Sequence, residues 1–217
     1  MDLQTLFGIF IVLPVLGAFL SYSMGKRASI VATAFSAVPL IFAYLWMGNW
    51  SQYTFTALGI EMSFELNPLN WFFILMTSLT SFSALLFSIS SVKERQNGFA
   101  ALMLFAVAGA NGVLLARDFL SLFIYWEIMS WSIFLLVMRA SGESARIYMI
   151  FGAISAYFIL FGIGIVYHYT GSFLYSAVGG VPAYAWKYLL PIFIIGFGVK
   201  MAMMPLHIWA PHAYTSE

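Results

Sequence analysis

The sequence has no cysteine, which excludes disulfides, thiolate metal sites and cysteine-ligated iron–sulfur clusters within these residues. Charge is scarce as well. Charged side chains make up 8% of the 217 residues, against about 25% in a soluble domain. So few charges cannot build a water-facing surface, so most of the surface must face lipid. The formal net charge is +1, and without a polybasic patch nothing points to nucleic acid or to strong headgroup binding. No basic segment precedes the first apolar stretch, which opens Met1, Asp2, Leu3. That stretch is expected to be a retained helix and not a cleaved signal peptide. Low-complexity tracts, flexible linkers and internal repeats are also lacking.

What is present is hydrophobic, at 63% of residues. A span needs about 20 apolar residues, and seven stretches qualify: 3–22, 29–48, 69–91, 98–116, 119–138, 147–168 and 186–214. The expected fold is an all-α, polytopic transmembrane helix bundle of about seven spans. Between the second and third spans, "IEMSFEL" alternates polar and apolar side chains with the period of a short surface strand or hairpin. Between the sixth and seventh, "YTGSFLYSAVGGVPAYA" reads as a second surface loop or hairpin.

Lys and Arg sit unevenly among the loops. Lys26 and Arg27, Lys93 and Arg95, and Arg139 and Arg146 occupy the odd-numbered loops, while the even-numbered ones carry only Arg117 and Lys187. By the positive-inside rule the N-terminus is expected outside and the end of the seventh helix in the cytoplasm, in the cell (inner) membrane.

Two charges fall where long side chains cannot easily snorkel: Glu127 in "FLSLFIYWEIMSWSIFLLV" and Lys200 in "GFGVKMAMMPLHIWAPH". At 1.5 Å per residue they lie about 12–14 Å and about 18 Å below the expected outer helix ends, near the middle of a core roughly 30 Å thick. A central lysine costs about 2.5–3.5 kcal/mol on insertion scales. A carboxylate about 4 Å away returns roughly 4 kcal/mol at an effective dielectric of 20. Such residues either fix helix packing as a structural ion pair or mark an ion pathway. In the second case making the pair holds a proton on Lys200 and breaking it lets the proton go. Pro205 removes a backbone hydrogen bond one turn on, so the seventh helix is expected to be broken near it, and broken helices beside ionisable groups are typical of ion pathways. His207 follows as a candidate relay, with helix packing as the alternative.

His207 and His212 stand five apart with no clustered carboxylate, so no metal site is expected. "GFGVK" lacks the pattern of a phosphate loop. No cofactor site and no nucleophile–base constellation appear, so no bond-forming active site is expected. A carrier for a small organic solute would need more buried polar groups than the charged pair.

Three stretches, "RDFLSLFIYWEIMSW", "ARIYMIFGAISAYFILFGIGIVYHYTGS" and "GFGVKMAMMPLHIWAPHAYTSE", together resemble the proton-conducting, antiporter-like membrane subunits. These occur in respiratory complex I, in Mrp-type sodium/proton antiporters and in membrane-bound hydrogenases. "WEIMSW" leans towards a hydrogenase- or Mrp-like member. The resemblance implies a coupling pair at Glu127 and Lys200, with His207 in the neighbouring hydrated path. It implies partners among other membrane subunits of a multisubunit complex, with protons and possibly Na+ as the transported ions. Members of the family have about twice this length and two inverted five-helix repeats. On that pattern residues 1–91 are an N-terminal three-helix element. Residues 92–217 are the first part of one repeat, truncated before its last helix, which carries the next lysine of the relay. The alternative function is a non-conducting scaffold of the same kind of complex.

Overall fold

The computed structural model describes residues 5, 7–57, 59–93 and 95–214. A π-helical turn, Gly8–Val12, runs into α1 (Leu13–Ser23), and a 3₁₀ turn at Gly25–Arg27 leads into α2 (Ala28–Leu45). The hairpin β1 (Ser51–Ala57) and β2 (Ile60–Leu66) follows, and then four helices: α3 (Pro68–Ser91), α4 (Gln96–Leu115), α5 (Phe119–Ala140) and α6 (Gly142–Thr170). After two 3₁₀ turns, Tyr175–Gly180 and Ala183–Ala185, come α7 (Trp186–Lys200) and the short α8 (Trp209–Tyr214). The molecule is a polytopic transmembrane helix bundle. Five helices, α2 to α6, are long and apolar enough to cross a membrane. The 16 apolar residues from Gly8 to Ser23 reach about 24 Å, and the 15 of α7 about 22 Å, both short of a full core. Large apolar side chains such as Phe87 and Tyr157 stand more than two-thirds exposed, as a lipid-facing surface requires.

Local chemistry sets the boundaries. Asn67 and Asn70 form a capping box at the start of α3, with Pro68 in the first turn where its missing N–H costs nothing. Asp118 caps α5 and Ser141 caps α6, and α6 ends at Gly171 in the left-handed conformation. The π turn also has a local cause. Pro14 has no N–H to give the Phe10 carbonyl four residues back, and Asn111 on α4 donates its Nδ2–H to that carbonyl at 2.9 Å.

Glycines let the helices that carry the site close in. A Cβ at Gly109 on α4 would lie 2.6 Å from the Met129 backbone nitrogen of α5, and one at Gly196 on α7 would lie 2.7 Å from Ile159 of α6. The backbones therefore meet where any side chain would hold them apart.

The hairpin forms at "IEMSFEL", paired in register from Ser51↔Leu66 to Ala57↔Ile60. It does more than lie on the surface: Phe64 and Leu66 are fully buried in a cluster with Phe10, Ile74 and Leu115. The linker between α6 and α7 forms no hairpin. It folds as the two 3₁₀ turns, tied down by a single bridge between Leu174 and Asp118. Pro182 cannot donate to a ladder, and adjacent Gly179 and Gly180 weaken any strand.

The loops gather at two ends. At one end Asn97 reaches the Tyr22 carbonyl and Arg139 the Arg95 carbonyl, which joins the lysine- and arginine-rich connections. At the other end the hairpin, the Ala116–Asp118 linker and the 173–175 segment are hydrogen-bonded together.

Candidate functional site

α5 and α7 bring Glu127 and Lys200 together. Glu127 is the ninth residue of α5, about 12 Å from its start. Lys200 is the last residue of α7. Its ammonium donates to Glu127 Oε1 at 3.0 Å and to Ser130 Oγ at 2.5 Å. The lysine side chain is 8% exposed and the glutamate 25%. Two of the three ammonium hydrogens are thus used, one by a full charge and one by a hydroxyl. Glu127 and Ser130 lie three residues apart on one face of α5, one turn of helix.

The seventh helix ends at Lys200, five residues before Pro205. Ala202 adopts φ 53°, its N–H donates to the Val199 carbonyl at 3.1 Å, and the Met203 N–H donates to Gly198 at 2.8 Å. These two bonds make a Schellman cap, with alanine where glycine is usual. Residues 201–208, Pro205 among them, run as turns before α8 begins. Trp209 closes the break from the other side, its indole N–H donating to the Val199 carbonyl at 2.8 Å. Carbonyls freed at membrane depth must be satisfied within the protein or by water, and here the indole and the cap do it.

Two cavities, of about 190 and about 210 Å³, adjoin the pair. The first is walled by Trp126, Val199 and Trp209 among others, and the second by Glu127, Trp131 and Tyr157. Ser130, Tyr148, Gly152 and Lys200 line both. Both linings are mostly apolar, and Ser130, Tyr148 and Lys200 are the polar side chains they share. Each space is large enough to admit water beside those groups.

His207 stands apart from this group. It lies in the turn segment after the break and lines neither cavity, and its Nδ1 is buried with no hydrogen-bond partner. His212 is on α8. Among the described residues no three His, Cys, Asp or Glu side chains converge as a metal would require.

Two residues escaped the sequence reading. Ser130 left a trace in "EIMS", an acid and a hydroxyl one turn apart, but buried serines in helices are too common to single it out. Asp118 reads as an ordinary loop charge and is in fact fully buried. It accepts from the Ser63 N–H at 2.8 Å and from the Ser121 N–H and hydroxyl, both at 2.7 Å. It therefore pins β2 to the start of α5, the helix that carries Glu127. Burial, and then the negative charge of Asp118, pushes the phenol of neighbouring Tyr175 upward from its ordinary value. Arg117 forms the outer layer, pairing with Glu65 at 2.6 Å and with Gln52 at 3.0 Å.

Residues 116–217 match the family described as NADH:quinone oxidoreductase/Mrp antiporter, transmembrane. Subunit N 2 of the NADH-quinone oxidoreductase of Roseiflexus castenholzii is 31% identical over 231 aligned positions, covering 98% of this chain and 45% of that protein. A chain of the membrane-bound sulfane sulfur reductase, an archaeal respiratory membrane complex, superposes with a TM-score of 0.85 at 30% identity, covering 96% of this chain and 36% of that one. A chain of the Mrp complex from Dietzia sp. DQ12-45-1b shares the fold with a TM-score of 0.81 at 22% identity, covering 99% of this chain and 44% of that one. The chain spans less than half the length of these relatives.

Proposed function

We propose, from the chain's membership of the NADH:quinone oxidoreductase/Mrp antiporter transmembrane family through residues 116–217, that it translocates protons, or exchanges Na+ for protons, as one membrane subunit of a larger redox-driven or antiporter complex. The observation that carries this reading is the 3.0 Å contact between Lys200 and Glu127 at mid-span, at the end of a broken helix and beside two cavities. A lysine this buried is held charged by its partner, and separating the two removes that support. The pair then works as a protonation switch: closed, it keeps the proton on Lys200; open, it releases the proton to water in the adjoining space. His207, with a buried and unpartnered Nδ1, is the next group of the path in this reading, reached across the break. The complex sits in the cell membrane with the lysine- and arginine-rich loops in the cytoplasm, and the remaining relay groups lie outside these residues or in partner subunits. Substrates of the redox chemistry bind elsewhere in such a complex.

The test is ion pumping by the intact complex in membrane vesicles, comparing wild type with Lys200→Ala and Glu127→Gln at matched assembly. Each substitution is expected to lower pumping by about tenfold or more while the complex stays whole. Unchanged pumping, or loss of assembly without a pumping defect in the complexes that form, would make the chain a scaffold and its ion pair a packing device.

A further inference from the structure

We propose that Ser130 is the group through which Lys200 passes its proton out of the ion pair; this deepens the switch reading and rests on it. Serine hydroxyls in membrane helices ordinarily bond back to their own helix. Ser132, two residues along α5 and just as buried, does so, donating to the Ile128 carbonyl at 2.8 Å. Ser130 is 7% exposed, and its oxygen instead lies 2.5 Å from the Lys200 ammonium on a different helix. Transfer to Glu127, the other acceptor of that ammonium, only moves the proton within the pair. The hydroxyl carries no charge and has a proton of its own to hand on. It also lines both cavities, as does Gly152, and the position of the missing Gly152 Cβ has nothing within 4 Å. Water reaching either cavity therefore meets the same hydroxyl.

The step balances as follows. The Nζ–H bond facing Ser130 breaks and its proton bonds to Oγ. The serine's original hydrogen passes to a cavity water. Lys200 is left neutral, Ser130 unchanged, and the positive charge leaves on the water. Two isosteric replacements separate the hydroxyl from its shape. Threonine keeps the oxygen and valine does not, while the two have nearly the same shape.

The experiment measures proton pumping in vesicles carrying the complete complex, for Ser130→Thr, Ser130→Val, Ser132→Ala and Lys200→Ala at matched assembly. Expected is a loss of about tenfold or more for Ser130→Val, with Ser130→Thr restoring at least about half of the wild-type rate and Ser132→Ala indistinguishable from wild type. If Ser130→Val pumps normally while Lys200→Ala is inactive, Ser130 is not on the path and the ion-pair switch survives without it. If Ser130→Thr is as poor as Ser130→Val, shape and not the hydroxyl matters at this position, and the proposal is overturned. If Lys200→Ala pumps normally, the underlying switch reading fails first.

Discussion

The chain buries two charges in different ways. Asp118 is fully enclosed and held by two backbone N–H groups and a serine hydroxyl, all neutral and all fixed by the fold. Lys200 is held by one carboxylate and one hydroxyl, at the capped end of a helix and beside cavities. A charge surrounded by fixed dipoles has no partner able to change charge state, so its environment stays as built. A charge whose main partner is itself ionisable sits between two alternatives separated by one proton. The first arrangement makes a clamp, and the second is suited to a switch.

Exchanging the consequences of the two sites is the sharpest way to break this comparison. Asp118→Ala leaves two buried N–H groups without acceptors, at about 1–3 kcal/mol each. A loss of about 3 kcal/mol is expected in thermal unfolding of the purified complex, with pumping per assembled complex within about twofold of wild type. The Lys200 and Glu127 variants should instead lose pumping by about tenfold or more in complexes matched for assembly. Glu127→Gln, which leaves the buried lysine without its counter-charge, should also cost about 3–5 kcal/mol of stability. A pumping collapse in Asp118→Ala complexes of normal stability would put Asp118 on the ion path and erase the distinction.

Smaller changes test how the break next to Lys200 is held. Trp209→Phe keeps the ring but removes one of the two donors to the Val199 carbonyl, leaving the Ala202 N–H. It is expected to cost about 1 kcal/mol, read as a lower melting temperature. No change in melting would mean that water replaces the indole without penalty. Ala202→Gly relieves a left-handed alanine and is expected to stabilise by up to about 1 kcal/mol. A destabilised variant would show that the added freedom of the unfolded chain outweighs the relief.

Much of the helical architecture was legible because its signals are local. Runs of apolar residues and the alternation in "IEMSFEL" both act over a few neighbours. The end of α7 was less so, since Pro205 announced a break but the helix stops earlier, at a cap that uses an alanine where the sequence pattern expects glycine. The linker after α6 misled for the opposite reason: its turn residues fit a hairpin as well as 3₁₀ turns, and packing against Asp118 and Phe119 decided between them.

By itself the sequence determined that this protein spans a membrane, because 8% charge cannot cover a surface in water. It also singled out Glu127 and Lys200, because a charge within a long apolar run is conspicuous in one dimension. Only the tertiary structure decided which groups meet. Lys200 finds Ser130 as well as Glu127, Trp209 folds back onto Val199, His207 remains apart, and Asp118 is buried instead of solvated. The contacts of Lys200 depend on the approach of helices some seventy residues apart in the chain, those of Asp118 and Trp209 on how the chain turns back on itself. Three-dimensional proximity of either kind leaves no periodic trace in the residues themselves.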